Sequence, residues 1–275
     1  MKNILKSNIK LLITIVSITM LLASCEYKTD IRDAEYPDQK IYMPAAYGGN
    51  FMINDIPRRI GDPVTPGQPF RFVVDTDGRK FNIPLSVYRA GIDNKGSFTV
   101  DIAANADTIG SLITAGKLPN NTLLLPAENY SIDSSVEMLD GNEIASFILA
   151  IDLDFLLNSY PTGILAIGVG ISSSQREVNP KLATAIVVVD TKIMKPTANF
   201  TSAADAADVK KIKFTNTSLY ALSVSWDFGD GSALSTEASP SHTYSAAGNY
   251  TVTLTAKGVT GDEDSNVFTM GITVN

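Results

Sequence analysis

The chain has 275 residues, of which 44% are hydrophobic and 19% charged, and its formal net charge is −7. This length predicts one or two domains, and the hydrophobic content excludes a chain too polar to build a core. The acidic balance argues against nucleic acid as a partner, because a negative surface repels phosphate groups.

Residues 1–24 have the pattern of a lipoprotein signal peptide. Three lysines precede an uncharged run from Leu11 to Cys25, and this run is shorter than the ~20 residues that cross a bilayer. It ends in "LLASC", which resembles a bacterial lipobox and implies that Cys25 becomes the lipidated first residue of the mature chain. The lipid bilayer is then a partner through acylated Cys25, because two or more acyl chains anchor a protein stably. The alternative is an ordinary secretion signal followed by a stray Cys.

Residues 25–39 are predicted to form an acidic tether between the lipid and the folded part. The segment after Cys25, "EYKTDIRDAEYPDQ", is polar and rich in Asp and Glu. Acidic residues in this position resemble a display signal of Bacteroidetes-type lipoproteins, which implies the outer membrane and exposure at the cell surface. Removal of the three signal-peptide lysines would change the net charge from −7 to −10.

Residues 40–192 are predicted to form an N-terminal β-sandwich domain. Apolar residues alternate along "FNIPLSVYR" and "ASFILAIDL", which is typical of half-buried strands, while "GILAIGVGI" and "ATAIVVVD" predict more fully buried ones. Asp140-Gly141 lies between two strand patterns and predicts a hairpin turn. One exception to the strands is a short helix predicted over Ala106–Ala115, which Gly116 can end. Many short strands separated by turn residues favour a sandwich.

Residues 196–275 are predicted to form a second all-β unit. The segment "TKIMKPTAN" is interpreted as the linker before it, in which Pro196 restricts Lys195 to an extended conformation. The clearest strand is "NYTVTLTAKG", with apolar side chains on one face and threonines on the other. The sequence therefore predicts an all-β protein with two immunoglobulin-like β-sandwich domains in tandem after a lipoprotein signal peptide.

The stretch "SWDFGDGSALSTEASPSHTY" contains the only Trp of the chain, Trp226, and its only His, His242. Asp227 and Asp230 lie between them, a combination that would also suit an active site. The spacing favours a core instead, because Trp226 and Phe228 are two residues apart and face the same side of a strand, while Asp227 faces outward.

Turn residues follow the Trp strand. Gly229 and Gly231, on either side of the second Asp, can supply the positive φ angles that a tight hairpin needs. Further along, "SPSHTYSAAGNY" predicts a strand that contains Tyr244, followed by a turn at Gly248-Asn249. A small sandwich needs aromatic residues in its core, and one Trp can bury on the order of 200 Å².

These motifs resemble a PKD (polycystic kidney disease) domain, which is an immunoglobulin-like sandwich. The resemblance is carried by "WDFGDGS" and "SPSHTYSAAGNYTVTLTA", and "IKFTNTS" and "MGITV" also match strands of that family. It covers essentially all of residues 196–275. The resemblance implies spacing or adhesion outside the cell rather than chemistry, and it implies a structural role for His242.

The N-terminal unit resembles a β-sandwich domain of unknown function from Bacteroidetes surface proteins encoded in glycan-utilisation loci. The segments "DAEYPDQKIYMP", "LLLPAENYSID", "YPTGILAIGVGISSS" and "KLATAIVVVD" carry this resemblance. It implies a location and a genetic neighbourhood, and it provides no catalytic residues to transfer.

The chain offers few residues for chemistry, so we predict that it is not an enzyme and has no cofactor or metal. Zinc sites need several His or Cys, and the sequence has one of each. A Ser-His-Asp triad would have to use His242, and a glycosidase needs two carboxylates across a cleft. The acidic segment Gly261–Asp264 is interpreted as a solvated loop, with weak calcium binding as the alternative. An unrecognised hydrolase is the least favoured function.

Glycan binding would need aromatic faces for stacking and polar neighbours. The candidates are Tyr42, Tyr47 and Phe51 in "IYMPAAYGGNF" and Tyr130 in "LPAENYS". For each of them, packing in the core is the alternative interpretation. The leading functional hypothesis is glycan capture, or support of an outer-membrane glycan-uptake system, with polysaccharide or a TonB-dependent transporter complex as partner. The rival hypothesis is a structural spacer or adhesin subunit.

Overall fold

The computed structural model describes residues 39–56, 71–91, 93–159 and 161–275, and Gln39–Asn275 form one compact unit. The predicted signal peptide, the lipidated Cys25 and nearly all of the predicted tether lie outside the described residues, so these assignments remain predictions. Within the described ranges, none of the helices is long and apolar enough to serve as a transmembrane segment.

Strands dominate the described part of the chain. The N-terminal strands are β1 Lys40–Tyr42, β2 Asn50–Ile53, β3 Val73–Asp75, β4 Lys80–Ala90, β5 Phe98–Ala104, β6 Thr122–Leu124, β7 Tyr130–Ile132, β8 Ser135–Met138, β9 Ile144–Asp152, β10 Ile164–Ser172, β11 Glu177–Val178 and β12 Thr184–Asp190. The C-terminal strands are β13 Phe200–Ala204, β14 Lys211–Asn216, β15 Ser223–Asp227, β16 Ser241–Thr243, β17 Gly248–Gly258 and β18 Gly261–Val274. The α-helices are α1 Ala106–Thr114 and α2 Leu153–Asn158, and 3₁₀ turns occupy Pro44–Ala46, Ala127–Asn129 and Thr191–Met194.

Two sheets form the N-terminal sandwich. Sheet 1 has the order β11-β1-β4-β9-β7 with β3 beside β4, and sheet 2 has the order β2-β12-β10-β5-β8 with β6 beside β10. Because side chains alternate along a strand, each sheet turns one apolar face toward the other. The buried residues that share this core include Phe81, Ile83, Leu85, Val87, Phe147, Leu149 and Ile151 from sheet 1, and Val169, Val187 and Val189 from sheet 2.

The C-terminal sandwich is built from two smaller sheets with the orders β13-β14-β16 and β15-β17-β18. Its core contains aromatic residues from both sheets: Phe200, Phe214, Trp226, Phe228 and Tyr244. Along β17 the apolar side chains Val252, Leu254 and Ala256 are buried, as the alternation predicts. The fold is therefore all-β with two immunoglobulin-like sandwiches in tandem, which confirms the predicted fold class.

The predicted short helix is confirmed as α1. The side chain of Asn105 caps it by accepting a hydrogen bond from the Thr108 N–H at 3.0 Å. Ile109 is buried, and Gly116 ends the helix with a φ of 63°. The helix α2 was not predicted, because apolar residues of "ASFILAIDL" continue past the strand. In the structure Asp152 ends β9 and caps α2, accepting from the Phe155 N–H at 2.8 Å.

The predicted hairpin at Asp140-Gly141 is wrong, although a turn is present and Gly141 has a φ of 82°. The strand before the turn, β8, pairs with β5 in sheet 2, while the strand after it, β9, pairs with β4 and β7 in sheet 1. The turn therefore connects the two sheets instead of joining neighbouring strands. Local turn chemistry is the same in both cases, which is why the sequence does not distinguish them.

The predicted turn at Gly248-Asn249 is also wrong. These residues begin β17 and pair with Val274 and Thr273 of β18. The chain bends earlier, at Ser245 and Ala246, between β16 and β17.

The segment interpreted as a linker is largely buried. Ile193 and Met194, in the 3₁₀ turn, are fully buried in the core of the N-terminal sandwich. Lys195 is extended, with φ −126° and ψ 131°, as expected for the residue before Pro196. The connection to the C-terminal sandwich is therefore short and partly fixed by core packing.

Candidate functional site

The Trp motif is a core element. Trp226 is 0% exposed, its Nε1–H donates to the Glu237 carbonyl oxygen at 2.9 Å, and its ring lies edgewise to Phe200 with centroids 5.0 Å apart. Phe228 is also buried, while Asp227 is exposed. The predicted orientation of these three side chains is confirmed.

The Gly-Asp-Gly segment turns the chain in the predicted backbone conformation. Gly229 and Gly231 have φ angles of 75° and 79°. A Cβ at Gly229 would lie 2.3 Å from the Thr251 carbonyl oxygen, so any other residue there would collide with β17. The chain returns to hydrogen-bond Trp226 only at Ser235. The reversal is therefore a wider loop than the predicted tight hairpin.

His242 joins this loop to β16. Its Nε2 lies 2.7 Å from Asp230 Oδ2, and its ring is stacked on Phe228 with centroids 4.0 Å apart. Burial opposes ionisation of Asp230, but hydrogen bonds from Ser232 and His242 outweigh it and lower the pKa of Asp230 to about 2. Burial raises the pKa of Tyr244 to about 12, and its hydroxyl donates to the Phe228 carbonyl oxygen at 3.1 Å. These contacts bind the loop to the sandwich, which is a structural role.

The structure separates the four aromatic candidates for glycan binding. Tyr130 lies opposite Ile151 and packs against the N-terminal core. Phe51, on β2 in sheet 2, also packs against that core. Tyr47 is 82% exposed, beyond the Pro44–Ala46 turn. The core alternative therefore describes Tyr130 and Phe51 better than a binding role does.

Tyr42 faces outward on sheet 1, beside a tyrosine that was not among the predicted binding residues. It lies opposite Tyr88 in the β1–β4 register, and the two rings have centroids 5.3 Å apart at an interplanar angle of 46°. The Tyr88 hydroxyl donates to Glu143 Oε2 at 3.1 Å, and Asn94 Nδ2 donates to Glu143 Oε1 at 3.3 Å. We call Tyr42, Tyr88, Asn94 and Glu143 the tyrosine patch. Both rings are partly exposed and Glu143 is exposed.

The electrostatics of the tyrosine patch are those of a neutral aromatic surface with one carboxylate. The hydrogen bond to Glu143 raises the pKa of Tyr88 above its ordinary value, so its hydroxyl stays protonated. Next to the patch on β1, Lys40 forms an ion pair with Glu177 at 2.6 Å. The site therefore presents two aromatic rings flanked by an amide, a carboxylate and an ion pair.

A buried arginine positions the loops around the tyrosine patch. Arg89 is 2% exposed and follows Tyr88 on β4. It donates to the carbonyl oxygens of Lys95, Gly96 and Leu139 at 2.9, 3.0 and 3.0 Å, and its guanidinium carbon lies 4.9 Å from the centre of the Phe98 ring. These carbonyls belong to the loops that carry Asn94 and lead to Glu143. Burial, followed by the charge of Arg176, lowers the pKa of Arg89.

The acidic segment Gly261–Asp264 is mostly exposed, as predicted, but it begins β18 and is therefore a strand rather than a loop. Each carboxylate in it faces a cation. Asp262 lies 2.6 Å from Lys257, Glu263 lies 2.8 Å from Arg79, and Asp264 lies 3.3 Å from Lys195. The carboxylates are therefore already paired with side chains of the protein.

Comparison with known proteins identifies the C-terminal part. Residues 194–274 match the family model of the PKD domain. The C-terminal sandwich is a PKD domain. The PKD1 domain of Vibrio anguillarum Epp is 34% identical to it, over 30% of this chain and 94% of that one, with a TM-score of 0.25. The PKD1 domain of the Vibrio cholerae metalloprotease PrtV is 35% identical, over 30% of this chain and 98% of that one, with a TM-score of 0.26.

The region before the PKD domain has less informative matches. A family model described as an N-terminal domain matches residues 62–178. A candidate carbohydrate-binding protein from Bacteroides ovatus is 8% identical, over 86% of this chain and 70% of that one, with a TM-score of 0.39. No curated protein matches the chain.

Proposed function

We propose that this protein is a non-enzymatic lipoprotein of the cell surface that binds glycan through the tyrosine patch. The observation that carries the proposal is the outward-facing Tyr42–Tyr88 pair with Glu143 and Asn94 beside it. Aromatic rings offer apolar faces on which a sugar ring can stack, and a few polar groups fix the orientation of a ligand. A carboxylate and an amide can accept and donate hydrogen bonds to sugar hydroxyls.

The proposed ligand is a neutral polysaccharide. The acidic chain would repel phosphate-rich or strongly anionic polymers, but it would not repel neutral sugars. Stacking on an open face gives weak affinity, on the order of 0.01–1 mM, or about −4 to −7 kcal/mol. Many copies displayed on one cell would raise the avidity for a repeating polymer.

Display at the outer membrane is supported by the sequence. The uncharged run that ends in "LLASC" favours lipidation of Cys25, and the acidic residues after it favour export to the cell surface. In this arrangement the acidic tether, the N-terminal sandwich and the PKD domain follow the anchor in that order along the sequence. A transporter for glycan uptake is the partner class that this location favours.

The second candidate function is a spacer or adhesin subunit. The observation that favours it is the PKD domain itself, whose motif residues are used to build the core and the loop of the sandwich. In this case the tyrosine patch would have no ligand, and the surface of the PKD domain would carry the contacts to other proteins.

A polysaccharide panel distinguishes the two functions. The native chain and the double variant Tyr42→Ala/Tyr88→Ala should be titrated by calorimetry against neutral plant and host polysaccharides. We expect the native chain to bind at least one polymer with millimolar or tighter affinity, and the double variant to lose that binding. If the native chain binds none of them, the spacer or adhesin function is favoured. If the double variant binds equally well, the patch is not the site.

A further inference from the structure

We infer that the N-terminal sandwich and the PKD domain fold and move as one body, because the tip of a PKD hairpin is buried in the N-terminal core. The tip of the β17–β18 hairpin is Gly258–Gly261, which we call the plug. Val259 of the plug is 8% exposed and belongs to the hydrophobic core cluster of the N-terminal sandwich. A second PKD residue, Tyr220, packs against the same cluster.

Polar contacts surround the plug. Arg79, directly before β4, forms an ion pair with Glu263 at 2.8 Å and a second one with Asp154 at the start of α2. One guanidinium therefore links the N-terminal sandwich to the PKD domain. On the PKD side, Thr260 is buried and donates to Asp264 at 3.0 Å, and the same carboxylate meets Lys195 at 3.3 Å.

The segment that connects the two cores is only three residues long. Met194 is fully buried in the N-terminal core, and Ala198 is buried in the PKD core. The three residues between them can span only about 10–14 Å when extended. The Pro196 ring also lies against Gly258, where an added Cβ would be 2.8 Å from the Pro196 Cδ. The chain thus holds the plug next to the point where the PKD domain begins.

These contacts have a mechanical consequence. Separating the two sandwiches would expose Val259 and Tyr220 to water and would open the N-terminal core. It would also leave Arg79 without its PKD partner. The PKD domain is therefore a rigid extension of the N-terminal sandwich rather than a module on a flexible linker, whichever of the two proposed functions is correct.

The tyrosine patch and the plug lie near opposite ends of β4. The plug docks beside Arg79, where β4 begins, and Tyr88 lies near the other end of β4. Lys80 and Tyr88 are eight positions apart along an extended strand, which is about 26 Å at ~3.3 Å per residue. The patch is therefore at a distance from the junction, and substitutions in the plug leave its residues untouched.

The single Trp provides a test in the full chain. Trp226 lies in the PKD core, so its fluorescence reports the unfolding of the PKD domain alone. Leu149 lies on β9 in sheet 1, and Leu149→Ala opens a cavity in the N-terminal core. We expect this substitution to lower the thermal midpoint measured by Trp226 fluorescence by at least about 4 °C. The midpoint measured by far-ultraviolet circular dichroism should fall by the same amount. An unchanged Trp226 midpoint would overturn the inference.

Two substitutions in the β17–β18 hairpin test whether the plug causes the coupling between the sandwiches. Val259→Asp should uncouple the sandwiches, so that Leu149→Ala in this background no longer shifts the Trp226 midpoint. Val267→Asp, at an exposed position of the same hairpin, should leave the coupling intact. If coupling survives Val259→Asp, the plug is not what joins the domains. If Val259→Asp does not fold, the comparison between the native chain and Leu149→Ala decides alone.

Discussion

Arg79 and Glu263 are 184 residues apart in the sequence, yet their side chains form an ion pair with Nη1 and Oε2 2.8 Å apart. The pair joins the start of β4 in the N-terminal sandwich to the start of β18 in the PKD domain. The pair lies beside the plug, so its coupling free energy measures an interaction across the junction between the two sandwiches.

A double-mutant cycle on Arg79→Met and Glu263→Gln measures this pair. Both side chains are partly exposed, and exposed ion pairs contribute little to stability because water screens them. We expect a small favourable coupling free energy from urea unfolding, and we expect it to fall in high salt. Asp262→Asn, whose partner Lys257 lies within the PKD domain, is the matched control and should show no coupling with Arg79→Met.

Trp226→Ala should strongly destabilise the PKD domain. The side chain is fully buried among Phe200, Phe214 and other core residues, and removal of a buried Trp costs about 3–5 kcal/mol. Unfolding in urea, followed by circular dichroism, measures the loss. The native protein should show the blue-shifted emission of a buried indole, and red-shifted emission at the native state would contradict the core position.

The stability of the PKD domain should depend on Asp230 at low pH. A carboxylate whose folded pKa is about 2, below its usual value near 4, stabilises the fold fully above about pH 4. This contribution is lost as the pH falls through the folded pKa. It is on the order of 1–2 kcal/mol.

Asp230→Asn should therefore flatten the curve of unfolding free energy against pH between about 4 and 2. Asp101→Asn, on an exposed face of β5, controls for the change in net charge. An Asp230→Asn curve as steep as that of the native chain would show that the contact with His242 does not carry the pH dependence.

Cys25→Ala should release the protein from membranes. The prediction rests on the lipobox resemblance of "LLASC", because a chain without the acylated Cys lacks the anchor. Fractionation of cells that express the native chain and the variant measures the distribution. A variant that still sediments with membranes and resists a high-salt wash would rule out lipid anchoring at this residue.

Features set by local alternation could be predicted from the sequence. The strands β4, β9, β10, β12 and β17 and the buried orientation of Trp226 all follow from which residues alternate along one segment. The capped helix α1 is likewise a local pattern, ended by Gly116. In each case the information lies within about ten neighbouring residues.

Features set by long-range pairing could not be predicted. The turn at Asp140-Gly141 has the same chemistry whether its two strands share a sheet or not. Tyr88 enters the site only because β1 pairs with β4 in a register that sets it opposite Tyr42. Alternation along "FNIPLSVYR" could have placed Tyr88 on the outer face of its strand. It could not show that Tyr42 lies beside Tyr88, because that depends on which strands pair.

The plug is the clearest case of a misleading local signal. The segment "AKGVTGDED" has the pattern of an exposed, charged turn, because two Gly residues flank Val259 and Thr260 and three acidic residues come next. Val259 is buried there only because another sandwich, distant in sequence, covers it. The cations that pair with the acidic residues also come partly from that sandwich.

One matched pair of variants decides whether Tyr42 contacts glycan, as we propose. Tyr42→Ala removes a ring of the tyrosine patch, while Tyr47→Ala removes a tyrosine that is 82% exposed but outside the patch. Dissociation constants should be measured by calorimetry for a polysaccharide that the native chain binds. We expect Tyr42→Ala to weaken binding about tenfold or more, the equivalent of roughly 1.4 kcal/mol, and Tyr47→Ala to bind like the native chain. Weakening by Tyr47→Ala with none by Tyr42→Ala would show that the tyrosine patch is not the glycan site.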